Sequence, residues 1–134
     1  MNIKNRKKKL IFVGGDPGGM NTLIPVTKHF LPLIEYTVSV FTYSIADQIC
    51  LRENIPFISL EQQYRAGLTE NTIKHLLIQE RPDVVISSTS YPGQLENMFR
   101  GTAKHLHIPT IVIMDQWLNY STRFKRDEMG DAYL

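Results

Sequence analysis

The sequence holds one cysteine, Cys50, which excludes a disulfide framework. It has no apolar run near the length of about 18–20 residues that a membrane helix needs. Its basic start is followed by only a short apolar stretch, Leu10 to Val13, which meets glycines at once, so this stretch is not expected to be a secretory leader. Glycines are clustered, but no Gly-Lys-Ser/Thr follows them, which excludes a P-loop. The spacing also departs from G-x-G-x-x-G, and the second apolar run ends Thr42-Tyr43-Ser44 without a carboxylate for a ribose, which argues against a dinucleotide fingerprint. His105 and His107 diverge on a helix and have no partners at metal-ligand spacing, so no metal and no cofactor is expected. No Ser-His-Asp arrangement is visible, and Cys50 reads as core.

What is present suits one domain with a true core: 134 residues, 43% apolar and 21% charged. The net charge of +2 is unevenly spread. Lys4, Arg6, Lys7, Lys8 and Lys9 carry +5, leaving −3 for residues 10–134. Residues 1–9 therefore read as a basic flexible tail, a solvated terminus or a contact for anionic lipid or acidic polymer. The mildly acidic remainder implies no nucleic-acid face.

Hydrophobic periodicity alternates between two kinds. Leu10-Ile11-Phe12-Val13 is a continuous apolar run ending in Gly14, the pattern of a strand buried on both faces. Met20, Leu23, Ile24, Thr27, Phe30 and Leu31 recur at helical spacing up to Pro32. With Asn21 or Thr22 as N-cap, Pro25 falls in the first turn of that helix. Thr37 to Thr42 reads as a second strand, then a helix capped by Ser44 runs to about Asn54, with Ile45, Ile49 and Cys50 apolar. Pro56 to Leu60 reads as a third strand. Thr69 opens a helix carrying Ile73, Leu76 and Leu77, closed before Pro82. Asp83 to Ile86 is a fourth strand, and Leu95, Met98, Phe99, Thr102, Ala103 and Leu106 mark an amphipathic helix. Thr110 to Met114 is a fifth strand, and beyond it the pattern shows no sixth. Asn54-Ile55-Pro56 and His107-Ile108-Pro109 repeat one hinge between a helix end and a buried run. These βα steps predict an α/β, Rossmann-like open parallel sheet of about five strands, order 3-2-1-4-5, with helices on both faces. Residues 10–134 are expected to form a single domain, cut from or lacking a longer partner.

Ligands of such sheets bind beyond the carboxyl ends of the strands. Three loops meet there. Gly14, Gly15, Gly18 and Gly19, with Asp16 and Asn21, could bring bare N–H groups to an anion or a polar sugar group, or form only a tight turn. Ser87 to Gly93 offers Ser88, Thr89 and Tyr91 to a neutral polar ligand, or merely caps the next helix. Asp115, Gln116, Trp117, Asn119 and Tyr120 set aromatic rings beside amides and a carboxylate, as carbohydrate recognition favours; the alternative is that Trp117 is core. Arg123, Lys125 and Arg126, answered by Asp127, Glu128 and Asp131, read as a solvated face first and a phosphate contact second.

The series of motifs resembles one family. Gly14-Gly15 and Gly18-Gly19 with Pro25 resemble the GG-x-GG-H-x-x-P loop of the lipid-II-forming N-acetylglucosaminyltransferases, with residues inserted. Arg81-Pro82-Asp83-Val84-Val85 is similar to their K-P-D-V-V strand, and the Ser88 to Gly93 loop to their glycine-tyrosine loop. His107-Ile108-Pro109 leading to Met114-Asp115-Gln116 is similar to their I-P-V-V-x-H-E-Q-N ending. The resemblance runs through residues 10 to about 120. It implies the N-terminal, acceptor-side domain of a GT-B glycosyltransferase, or of a relative such as a nucleotide-sugar 2-epimerase, with the donor-binding domain absent. Two departures stand out: the family histidine is Met20 here, and the glutamate of E-Q-N is Asp115.

The expected function is acceptor binding in a nucleotide-sugar-dependent glycosyltransferase of surface polysaccharide or glycolipid synthesis. The resemblance implies an inverting displacement without a metal. Asp16 is the candidate base by its place near the replaced histidine, and Asp115 the second. The expected partners are a sugar or lipid-linked acceptor, a nucleotide-sugar only with a second domain, the inner face of the membrane from the cytoplasm, and a second copy of the chain. The rival is a non-catalytic ligand-binding module.

Overall fold

A computed structural model describes residues 6–89, 94–114 and 132–133 of the chain. The central strand β1 (Lys8–Gly14) alternates its side chains between two cores. Leu10 and Phe12 face one, Ile11 and Val13 the other, and all four are buried. Both faces of this strand must therefore be covered, which explains its unbroken apolar run.

Helices α1 (Pro17–Phe30) and α2 (Ala46–Arg52) cover the first face, where Met20, Leu23, Ile49 and Cys50 pack on Phe12 and Val40. Helices α4 (Glu70–Glu80) and α5 (Leu95–His105), with the short α3 (Leu60–Gln63), cover the second through Leu60, Ile73, Leu77, Phe99 and Ala103. Phe41 and Phe99 stack there at 6.4 Å.

The other strands are β2 (Tyr36–Thr42), β3 (Ile58–Ser59), β4 (Val84–Ser87), β5 (Thr110–Val112) and β6 (Ala132–Tyr133), in the spatial order β3-β2-β1-β4-β5-β6. Every pairing is parallel. The doubly wound sheet and the order 3-2-1-4-5 agree with the sequence pattern. The two-residue β6 was not expected, because so short a strand leaves no periodicity to read. Likewise β3 is shorter than Pro56 to Leu60: Ser59 accepts the Gln62 N–H and turns the chain into α3.

Two helix starts differ from the expected ones. Asp16, not Asn21 or Thr22, caps α1, with Pro17 in its first turn, so Pro25 lies inside the helix. Its missing N–H leaves the Asn21 carbonyl without a helical donor. Asn21 and Pro25 are both exposed. Ser44 does not cap α2; it sits at φ 56° in the preceding turn, its carbonyl accepting the Asp47 N–H at 3.1 Å. Ile45 is then left 54% exposed rather than in the core. Thr69 does open α4, in a reciprocal capping arrangement with Thr72.

The repeated hinge has one geometry at both sites. Asn54 and His107 are left-handed, at φ 56° and 59°. The Ile55 N–H reaches the Cys50 carbonyl at 3.0 Å, and the Ile108 N–H reaches that of Ala103 at 2.8 Å. Each is a Schellman ending, and the next residue, a proline, cannot continue the helix. The basic stretch is partly structured. Strand β1 begins at Lys8, Arg6 pairs with Asp83, and Lys9 pairs with Glu80.

Candidate functional site

The carboxyl edge of the sheet is where α1 and α5 begin, on opposite faces, after β1 and β4. Neighbouring strands whose helices depart to opposite faces leave a crevice between them, the ligand position of doubly wound sheets.

The turn after β1 is held from below by buried groups. Gly14 ends the strand, buried against Met20 and Leu23, and a Cβ on it would lie 2.7 Å from Met20 Sδ. The Gly15 N–H donates to Glu96 Oε1 of α5 at 2.8 Å. The Asp16 carboxylate caps α1, its Oδ1 accepting the Gly19 N–H at 2.6 Å. Gly19 is buried against the end of β4: a Cβ there would lie 2.8 Å from Asp16 Oδ1 and 2.9 Å from Ser88 Cβ.

Close approach thus sets Gly19, and Gly14 more weakly, since the end of Met20 can move. Their φ angles are not left-handed; among the described glycines only Gly67, at φ 106°, is. Two of the N–H groups that the sequence pattern offered to a ligand already have acceptors within the protein. Gly18 and Asn21 are exposed on the first turns of α1, and Asn21 Oδ1 accepts from Arg52 Nη2 at 3.3 Å.

The loop after β4 brings Ser88 and Thr89 beside this turn, both buried, at 0% and 1% exposure. The Ser88 hydroxyl donates to Glu96 Oε1 at 3.4 Å. Arg100, one turn further along α5, is 1% exposed. Its Nη1 donates to Ser87 Oγ at 2.7 Å and to the Ser88 carbonyl at 3.0 Å, and its Nη2 to Asn97 Oδ1. Glu96, Asn97 and Arg100 therefore tie α5 to the ends of β1 and β4, which makes the crevice floor a rigid polar platform.

These three residues were missed in the sequence reading. The available signal was Glu96 and Arg100 in phase with Phe99 and Ala103, a charged pair four apart within an apolar stripe.

A second buried carboxylate, Asp47, accepts from the Thr42 hydroxyl at 2.5 Å and the Ser59 hydroxyl at 2.6 Å, joining the ends of β2 and β3. Below it, burial and then the Asp47 charge push the Cys50 thiol up to about 11, so it stays protonated and unreactive at neutral pH.

Gly14, Gly15, Asp16, Gly18, Gly19, Asn21, Ser88 and Thr89 thus gather at one edge. Tyr91, Asp115, Gln116, Trp117, Asn119 and Tyr120 lie outside the described residues. Among the described residues no group of three metal-ligating side chains forms, and no helix is long and apolar enough to cross a membrane.

No protein-family model matches the sequence, and no curated protein matches it. Solved structures do. The UDP-GlcNAc 2-epimerase from Neisseria meningitidis bound to UDP-GlcNAc matches with a TM-score of 0.68 at 16% identity, over 86% of this chain and 37% of that one. MurG of Acinetobacter baumannii matches with a TM-score of 0.62 at 15% identity, over 80% of this chain and 35% of that one. MnaA of S. aureus with UDP matches with a TM-score of 0.64 at 13% identity, over 79% of this chain and 29% of that one. The chain spans about a third of the length of each. At these identities the likeness shows the fold: this chain is built like one Rossmann-like part of GT-B-type sugar-nucleotide proteins.

Proposed function

We propose that this chain is the acceptor-side half of a GT-B-type glycosyltransferase, working with a second, donor-binding half. The observation that carries the reading is the hydrogen-bonded carboxyl edge between β1 and β4, where the Gly15–Gly19 turn meets the Ser88–Thr89 loop, in a fold shared with nucleotide-sugar proteins.

In this reading the acceptor is a sugar or lipid-linked sugar of surface polysaccharide or glycolipid synthesis, met at the inner face of the membrane. Its hydroxyl would lie near the start of α1. Asp16 is fixed at that position by its bond to Gly19, and its second oxygen would take the acceptor proton. Asp115 is the second candidate base, and Gln116, Trp117, Asn119 and Tyr120 would cover the sugar. Self-association through the segment after Met114 belongs to the same reading, and sedimentation at high concentration tests it.

A second reading, half of a nucleotide-sugar 2-epimerase, is favoured by the match to the Neisseria enzyme. Amide-resonance titrations of the chain separate the two. The transferase reading expects prenyl-pyrophosphate-linked GlcNAc to shift Gly18 and Thr89 saturably, with UDP-GlcNAc and UDP shifting neither below millimolar concentration. Micromolar UDP-GlcNAc binding at those residues would replace it with the epimerase reading. No shift from any of the three would leave a module for a different ligand. The Gly18→Val variant is the control on the turn. Gly18 is exposed and not left-handed, so the variant keeps its fold and loses the acceptor shifts.

A further inference from the structure

Between α1 and α2, beside the glycine turn, lies an open groove of about 340 Å³, within the range of small-molecule sites. Pro17 and Asn21 form one wall, and Ile45, Gln48, Ile49 and Arg52 the other. Its two kinds of lining are apolar and cationic. Ile45 is 54% exposed at the rim, and Ile49 forms the buried base.

The charge comes from Arg52. Its side chain is 64% exposed, and Nη2 reaches across the groove to Asn21 Oδ1 at 3.3 Å. Of the acidic groups around it, Glu53 is shared with Lys28, and Asp16 and Asp47 are bound elsewhere. Glu53 lies 3.8 Å from Arg52 Nε but bonds Lys28 at 2.7 Å, and that hydrogen bond holds the Glu53 carboxyl below its ordinary range. Asp16 caps α1, and Asp47 is buried between Thr42 and Ser59. Glu53 is thus shared by two cations, Lys28 through one oxygen and Arg52 through the other, and Nη2 of the guanidinium is turned to the groove. Its planar fork and the Asn21 and Gln48 carboxamides suit phosphate oxygens, while Ile45 and Pro17 suit a hydrocarbon chain.

We propose that this groove is a subsite for a phosphate ester carrying an apolar chain. The inference rests on taking the carboxyl edge as the acceptor side, and it adds a site on the outer flank of α1 that the crevice does not include.

The test is a titration of the isotopically labelled chain with octyl phosphate, inorganic phosphate and octanol, read at backbone amides. Octyl phosphate is expected to shift Asn21, Gln48 and Arg52 saturably, and to bind about tenfold more tightly than inorganic phosphate. Octanol alone is expected not to saturate. Arg52→Gln should weaken octyl phosphate about tenfold or more, as loss of a charged hydrogen bond implies. Ile45→Ser should weaken octyl phosphate and leave inorganic phosphate unchanged. Both side chains are exposed, so both variants keep the fold, and the unligated spectra verify this.

Shifts centred elsewhere, equal binding of octyl phosphate and phosphate, or insensitivity to Arg52→Gln would each overturn the proposal. Because the probes contain no sugar and no nucleotide, such a failure removes the subsite alone. Failure of the prenyl-pyrophosphate-linked GlcNAc to shift Gly18 and Thr89 removes the acceptor reading.

Discussion

The buried Glu96 carboxylate accepts the Gly15 N–H at 2.8 Å, which binds helix α5 to the turn after the central strand across 81 residues of sequence. The same oxygen receives the Ser88 hydroxyl, so one acidic side chain organises two of the three loops at the carboxyl edge. Replacing it with alanine strands the Gly15 donor and removes a buried acceptor one helical turn from the buried Arg100. Glu96→Ala should lower the unfolding free energy by about 2–4 kcal/mol. Glu96→Gln keeps an acceptor for Gly15 and should cost less than half of that. Urea unfolding of the two variants checks the order; equal losses would mean that the Gly15 bond is not what matters.

Gly19 tests close approach. A Cβ there presses on Asp16 Oδ1 and on Ser88, which is fully buried and has no room to retreat. Gly19→Ala should destabilise by about 1–3 kcal/mol despite the better helix propensity of alanine. Ser88→Gly in the same chain should recover part of the loss, because it removes the colliding atoms. A double-mutant cycle measures this, and strict additivity would show that the two residues do not meet.

These two sites also mark where the sequence was legible. The sheet order could be read because burial on both faces writes continuous apolar runs such as Leu10 to Val13, and because the paired Ile-Pro hinges punctuate the helices. The glycine cluster was visible, but its reason was not. Glycines that make room for Met20 and Ser88 look the same in sequence as glycines that present N–H groups to a ligand. Asp16 was legible as a special residue, while its bond to Gly19 became visible only with the start of α1, which Pro25 had appeared to push later. Glu96 and Arg100 escaped notice because charge on a helix ordinarily marks its solvated face, and only the phase of Phe99 and Ala103 argued otherwise.

The hinges supply a stabilising substitution. His107 holds a left-handed φ of 59° that disfavours any side chain with a Cβ, by roughly 1–2 kcal/mol. Glycine carries no such strain at the residue after a helix end. His107→Gly should therefore raise stability by about 1 kcal/mol, after the added flexibility of the unfolded chain is subtracted. Asn54→Gly should gain less, since asparagine tolerates this conformation better. Thermal melts of the two variants check the sign and the order. His107→Ala should give no gain of this kind, because alanine keeps the Cβ.

The last prediction concerns Cys50. Burial, and then the charge of Asp47, raise its folded pKa from 9.0 to about 11, so the folded protein retains a proton that the unfolded chain releases first. Between those values the unfolded state binds fewer protons than the folded one, and stability must fall as pH rises. The contribution is fully present below pH 9 and is lost progressively toward pH 11, by up to roughly 2 kcal/mol. Tyrosines and lysines titrate in the same range, so the readout is a difference between variants. Cys50→Ala, less stable at neutral pH through the small cavity it leaves, should show a shallower alkaline decline than the wild type. Labelling gives the independent check: a thiol reagent at pH 8 should modify Cys50 only at the rate of unfolding, and its reaction should accelerate with urea in step with the loss of structure. Rapid labelling of the native chain at pH 8 would mean that the thiol is neither shielded nor held protonated.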